Sequence, residues 1–395
     1  MFTIKVIKMM KFNYQRRSVI FSSLLALTSV SACEGNDPGN SAIEVTVTAV
    51  EDLGVVDQGE NIRGRDGGYS GVHNDRSVWV FGDSVTETAN ADGQNWFSSS
   101  WATSVDIDAS DGIGPLELGM HSASGEPVEL LTYTNEEQQF NDLHKDGPEC
   151  VDPCGARWAL WPGPIVADPV RNRSLLFYQK ISAQVGELNF FGVGRSIAVW
   201  PNDAMRPTRP VIDETATHPT LMPFPTNLQP GNAALIENDY LYAFGCDRDR
   251  NDVVCSLGRV SLEHALEVDQ WEYATGTNRW SKDASQGTEL FFGADIMSVT
   301  FNAHLGRYIA VYSEPTSRDI KLRSASSIDG PWSAPTHLVT AMASANTNGW
   351  VYDGLTHPQF NEQDGHIIYL TYTRDPGTEW FAREMRLVRV SLDLL

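Results

Sequence analysis

The chain has 395 residues, 41% hydrophobic and 20% charged, which is ordinary globular usage and excludes disordered and fibrous classes. Acidic residues outnumber basic ones by 51 to 29, a formal charge of −22, so a polyanion would be repelled and no nucleic-acid partner is expected. An enzyme, a binder of neutral ligands or a scaffold remains, with 11 Trp, 12 Tyr and 16 Phe available for apolar contact.

Residues 1–32 read as a targeting segment and are left out of fold reasoning. Lys5, Lys8, Lys11, Arg16 and Arg17 precede an apolar run from Val19 to Val30, too short and too rich in Ser to stay as a spanning helix. Met10 offers an alternative start. Val30-Ser31-Ala32-Cys33 resembles the bacterial lipoprotein signal, in which small residues precede a Cys that takes lipid and becomes the first mature residue. A plain secretory signal with a chance Cys is the alternative. Removing five positive charges takes the net charge from −22 to −27. Residues 34–44 (EGNDPGNSAIE) form a polar, turn-rich tether. No later stretch reaches about 18 consecutive apolar residues, so membrane contact is expected through the lipid anchor only. The expected location is a bacterial cell envelope, at an outer membrane, on its periplasmic or its surface face.

Five times the chain then shows a short strand-like run, a tight polar turn and a second run rich in Val, Ile, Tyr, Phe or Trp. The copies are DGGYSGVHNDRSVWVFGD (66–83), WPGPIVADPVRNRSLLFYQK (161–180), GNAALIENDYLYAFGCD (231–247), DIMSVTFNAHLGRYIAVYSE (295–314) and DGLTHPQFNEQDGHIIYLTYTR (353–374). Turn signals sit centrally in each: Asn74-Asp75, Asp168 to Asn172, Asn238-Asp239, Leu305-Gly306 and Asp364-Gly365. Short β-type runs such as SWATSVDI, RSIAVWP, LGRVSL, IKLRSAS and MRLVRVSL lie between them. A hairpin plus one or two more strands makes a blade, and five blades make an all-β fold, a single five-bladed β-propeller over 45–395. A β-sandwich with look-alike hairpins is the alternative. The best helical candidate is SLEHALEV (261–268). Residues of about 120–158 form a polar insertion, expected as a loop on the blade 1 to blade 2 crossing over the ligand face. Cys150 and Cys154 lie in CVDPC, and Cys246 and Cys255 bracket CDRDRNDVVC. Each pair is close in sequence, which in an oxidising compartment predicts two local disulfides. Zinc competes as a reading, but the CxxC spacing is missing and no His residues cluster nearby.

The first strand of a propeller blade lines the channel and the second returns antiparallel, so residues equidistant from the turn meet at one edge. Asp66 thereby meets Asp83, Asp295 meets Glu314, and Asp353 meets Arg374. Trp161 falls opposite Lys180, and Gly231 or Asn232 opposite Asp247. One channel mouth should therefore gather carboxylates, an Arg, a Trp and an Asn, with His357 just inside Asp353. Paired carboxylates suit glycoside hydrolysis. One protonates the leaving oxygen, the other activates water or attacks the anomeric carbon, and clustering raises one pKa to supply the acid. Asp66, Asp83 and Glu314 are accordingly assigned to catalysis. Arg65, Tyr69, Trp161, Asn232, Asp295, Asp353, His357 and Arg374 are assigned to positioning the sugar. Bland alternatives stand beside these roles: Asp83 as a strand-end cap, Asp66 as an acceptor of backbone amides, Glu314 as a solvated residue, Asp353 and His357 as partners of each other. Asp106, Asp108 and Asp111 faintly resemble a calcium loop but lack EF-hand spacing, and Asp247, Asp249 and Asp252 read as a solvated loop, so no metal or other cofactor is expected. Motifs of serine hydrolases, nucleotide-binding loops and zinc proteases are absent.

RDGGYSGVHNDRSVWVFGDS (65–84) resembles the opening of the domain-of-unknown-function 4185 family, where a DGGYSG-like segment precedes a WVFGDT-like strand. Ser84 stands where Thr is commoner. YDGLTHPQFNEQDGHIIYLTYTRD (352–375) is similar to that family's ending, and the likeness runs over about 60–390, departing at the Cys-bearing insertion. The resemblance implies a branch of the five-bladed furanosidase-type propellers, similar to glycoside hydrolase family 183, described as endo-D-arabinanases. Acidic residues of that family's opening segment are implicated in catalysis, which here would be Asp66 and Asp83. SSIDGPWSAP (326–335) resembles the DGPW element of arabinosidase propellers and differs from the sialidase Asp-box. The implied protein is a monomeric, surface-anchored glycoside hydrolase whose partner is a furanose polysaccharide or oligosaccharide, such as arabinan. A non-catalytic carbohydrate-binding or scaffold propeller lipoprotein is the alternative, because one fold hosts many functions.

Overall fold

The computed structural model describes residues 44–120, 125–186, 189–225, 228–247 and 253–395. The targeting segment, Cys33, all but the last residue of the tether, Asp249 and Asp252 lie outside the described residues. Among those residues no helix is long and apolar enough to cross a membrane.

Five antiparallel sheets follow one another along the chain as the blades of a five-bladed β-propeller. Their inner strands are Ile62–His73, Arg157–Asp168, Ala233–Glu237, Met297–Asn302 and Tyr352–Thr356. The returning second strands are Arg76–Thr86, Arg173–Ala183, Tyr240–Asp247, Arg307–Ser313 and Ile367–Arg374. The ring closes through Val45–Val55, which adds to the C-terminal strand Glu384–Leu394 with Val45 opposite Leu394. The hairpin turns fall where the turn residues predicted them. Asn74 and Asp75 have φ of +49° and +60°, and Asn238 and Asp239 have +51° and +63°. Two consecutive left-handed residues are what a two-residue hairpin needs, and Asn and Asp tolerate that region.

The second strands are buried on both faces, which explains their near-continuous apolar runs. In blade 1, Val78 and Val80 pack toward blade 2 with Leu160 and Tyr178. The alternate residues Trp79 and Phe81 pack toward blade 5 with Tyr369 and Leu387. Five such clusters, one between each pair of neighbouring blades, make up the core. The DGPW element joins the outer strands of blade 4 and docks on blade 3. There Asp329 accepts a hydrogen bond from the Asn278 amide at 2.6 Å, and Trp332 stacks on Phe291 at 4.9 Å.

Two expectations about helices are corrected. The 120–158 insertion contains an α-helix, Asn135–His144, started by a capping box in which Thr134 and Glu137 exchange side-chain to backbone hydrogen bonds. Phe140 anchors it on Trp158, 5.3 Å between rings. SLEHALEV forms two 3-10 turns, Leu262–His264 and Val268–Gln270. Eight residues are too few to offset helix nucleation, and tertiary contact decides instead: Leu262 and Ala265 are buried, and the Ala265 carbonyl accepts from the Trp271 indole at 3.2 Å. Both expected disulfides are present, with Cα separations of 5.7 Å for Cys150–Cys154 and 4.0 Å for Cys246–Cys255. The second joins directly opposed residues of neighbouring strands.

Candidate active site

Asp66 and Asp83 come together at the mouth end of blade 1, away from the hairpin turn. Arg65 faces Ser84 and Gly67 faces Phe81, so Asp66 alone opposes both Gly82 and Asp83. That bulge places the two residues opposite each other, close enough for the Asp66 charge to act on Asp83. Asp353, at the start of the blade 5 inner strand, joins them: its Oδ2 accepts the Gly67 amide at 2.8 Å. Asp353 is 4% exposed and sits at φ +57°, a strained conformation of the kind that concentrates at functional sites.

The three carboxyls differ in surroundings. Asp66 accepts the Tyr352 hydroxyl at 2.7 Å and faces Arg383 Nε at 3.4 Å. Burial raises its pKa, and Tyr352 and Arg383 pull it back. Asp83 accepts the Trp96 indole N–H at 3.0 Å. Burial pushes it up to about 6, with Arg157 opposing and the Asp66 charge adding to the rise. Burial and the neighbouring Asp66 charge push Asp353 up to about 7. A charge on Asp66 disfavours ionisation of both neighbours. Tyr352 and Arg383 favour the ionised form of Asp66, whereas Asp83 keeps a proton up to about pH 6 and Asp353 up to about pH 7. An ionised carboxylate next to a protonated one is an acid–base pair in a single site.

Beside the carboxyls lies a cavity of about 530 Å³ whose walls include Trp161, Gln179, Phe190, Phe191, Arg195 and Asp295. Trp161 connects the two, because its ring packs against Gly82 and meets Phe190 at 5.0 Å. Phe190 and Phe191 are 45% and 56% exposed, so their faces are open to a ligand. A second aromatic cluster lies beside Asp83: Trp96 meets Trp380 at 5.4 Å and Phe381 at 5.6 Å, with Arg157 over the Trp96 ring at 4.4 Å. Tyr69 floors the cavity and donates its hydroxyl to the Asn232 carbonyl at 2.7 Å. It also caps a lower cavity of about 430 Å³ that opens toward the hairpin turns.

Tyr69, Trp161, Asp295 and Asp353 thus belong to the mouth with Asp66 and Asp83, and the other assigned residues do not. Glu314 is corrected: its side chain is 44% exposed and its ion-pair partner is Lys321 at 3.7 Å, on the neighbouring strand. Arg65 turns from the mouth into the blade 5 to blade 1 core, 2% exposed and 4.4 Å from the Phe81 ring, where burial lowers it to about 9. Asn232 spends its amide on the backbone, donating to the Asp295 carbonyl at 2.5 Å and accepting from the Cys246 amide at 2.8 Å. His357 is fully buried between Ser70 at 2.6 Å and Thr371 at 2.8 Å, and burial lowers it to about 3, so it stays neutral as a core residue. Arg374 pairs with Glu384 at 2.6 Å. Lys180 faces Leu160 while Gln179 faces Trp161, because the register shifts between Pro162 and Ile165. Asp106 and Asp108 accept amides within their own turn.

A five-bladed propeller with a carboxylate cluster and aromatic walls at its mouth is the class this architecture defines. Residues 199–376 match the family described as Domain of unknown function (DUF4185), so the chain carries that signature from blade 2 into blade 5. Among solved structures, a candidate hydrolase from Bacteroides ovatus ATCC 8483 is similar with a TM-score of 0.53, 13% identity, and coverage of 83% of this chain and 86% of that one. Zg3597, a family 117 glycoside hydrolase from Zobellia galactanivorans, is similar with a TM-score of 0.48, 9% identity, and coverage of 87% and 90%. A GH43_1 enzyme from Xanthomonas citri is similar with a TM-score of 0.45, 11% identity, and coverage of 89% and 91%. At these identities the likeness is one of fold. No curated protein matches the chain.

Proposed function

We propose that this protein is a glycoside hydrolase acting on a furanose polysaccharide, arabinan foremost, and held at a bacterial cell envelope by lipid on Cys33. The observation that carries the reading is the coupled set of Asp66, Asp83 and Asp353 beside two aromatic clusters. Asp66, ionised against Arg383, serves as base or nucleophile, and Asp83, protonated up to about pH 6, donates to the leaving oxygen. Asp353 is too buried to reach substrate and acts through Asp66, whose Gly67 neighbour it holds. Sugar C–H faces stack on Trp161, Phe190 and Phe191 and on Trp96 and Trp380. Two aromatic clusters at the mouth offer more than one stacking surface, as cleavage inside a polymer needs.

A sugar-binding propeller without catalysis would tie its acids into ion pairs. Asp66 is paired with Arg383, but neither Asp83 nor Asp353 has an ion pair among the described residues, which leaves an acid available to an enzyme. Arabinan and arabinogalactan of both D and L series, incubated with the protein and analysed for products, separate the two: the enzyme releases oligosaccharides, whereas retention without release rejects catalysis. An intact mass that begins at an unmodified Cys33, or that retains residue 20, rejects the anchor.

A further inference from the structure

At the opposite end of the channel, where the hairpin turns lie, His304, His366 and Asp393 converge so that their ligand atoms all lie within 4.8 Å of one another. His304 Nε2 is 3.0 Å from Asp393 Oδ1, His366 Nε2 is 3.7 Å from Oδ2, and the imidazole rings are 4.9 Å apart. Around tetrahedral zinc, bonds of about 2.0–2.1 Å separate neighbouring ligand atoms by about 3.3–3.4 Å. The His304 spacing falls just under that value, and the His366 spacing, measured to the other carboxylate oxygen, just over it.

The three side chains stand on fixed backbone. The His304 amide donates to the Asp364 carbonyl at 2.8 Å, and the Leu392 amide donates to the His366 carbonyl at 2.8 Å. The blade 5 turn is pinned on blade 4 by Asn302, which donates to the Gly365 carbonyl at 2.7 Å and accepts from the Leu305 amide at 2.9 Å. Gly365 is required there. Its φ is +94°, and a Cβ would fall 2.6 Å from Asn302 Nδ2.

A second observation concerns His366 alone. Its Nδ1 lies 3.1 Å from Gln363 Oε1, a contact that turns Nε2 toward Asp393. A hydrogen bond at the far nitrogen is also how metal-ligating His residues are oriented.

We propose that His304, His366 and Asp393 bind a divalent transition-metal ion, with zinc the best fit and a water in the fourth position. The ion would link blades 4 and 5 at the closure of the ring, since Thr46 of the N-terminal strand pairs with Asp393. Its role is a clamp on that closure, separate from the chemistry at the mouth.

The test uses the untagged mature protein, stripped with a chelator and titrated with zinc chloride by calorimetry and thermal unfolding. Wild type is expected to take up one zinc per chain and to gain about 4 °C in Tm at a hundredfold excess over Kd. The variants His304→Ala and His366→Ala lose both effects, and Gln363→Ala weakens binding about tenfold. Cobalt in place of zinc gives the visible bands of a tetrahedral site, and these disappear in the His variants. An unchanged Tm in chelator shows that the variants fold. No uptake by wild type overturns the proposal. Zinc uptake unaltered in the double His variant overturns it equally.

Discussion

Asp66→Asn and Asp83→Asn each lower the rate of glycosidic hydrolysis by about 10²–10⁴ without unfolding the protein. The two losses carry different signatures. Asp83→Asn removes the proton donor, so its deficit shrinks on aryl glycosides with acidic leaving groups, which depart without protonation. Asp66→Asn removes the base or nucleophile, and its deficit persists on every leaving group. The pH dependence of kcat/KM separates them further. Asp83 must be protonated and its pKa is raised to about 6, so wild-type activity declines above about pH 6. That limb disappears in Asp83→Asn. Turnover close to wild type in both variants would remove the site assignment.

Glu137→Ala is expected to destabilise the propeller by about 3–5 kcal/mol, because it strands two buried cations. Glu137 accepts Arg209 at 2.6 and 3.0 Å and Lys180 at 2.6 Å, and its side chain is 6% exposed. Burial alone would raise its pKa, yet Arg209 and Lys180 hold it down to about 2. A depressed carboxyl contributes its stability above the unfolded value of about 4.3 and loses it as pH falls toward about 2. Urea midpoints should therefore differ strongly between wild type and variant at pH 7 and converge near pH 2. Equal midpoints at pH 7 would show that the cluster contributes nothing.

The fold was legible because a blade writes itself locally. Val78-Trp79-Val80-Phe81 alternates between two neighbouring blades, and the turn residues Asn74-Asp75 and Asn238-Asp239 fix where each hairpin folds back. The opposed register of Asp66 and Asp83 was legible for the same reason, since both lie within one hairpin. Counting from turns fails where register slips or where partners are distant. A slip between Pro162 and Ile165 exchanges Gln179 for Lys180, and Arg374 is taken by Glu384 of the next strand. Arg383 and Tyr352 reach Asp66 from blade 5, about three hundred positions along the chain, and no local motif announces them. The helix at Asn135–His144 has few apolar residues, so its signal is the Thr134–Glu137 capping box rather than periodicity. His304 and Asp393 are 89 positions apart and only the ring closure brings them together.

The central claim is that the carboxyls at the mouth are where a sugar polymer is cut. The most direct measurement is a crystal structure of Asp66→Asn soaked with the oligosaccharide that the wild type cleaves. The account predicts sugar rings against Trp161 and Trp96, with a glycosidic oxygen within hydrogen-bonding distance of Asp83. Sugar seated in the lower cavity beneath Tyr69, with Asp66 and Asp83 untouched, would contradict it.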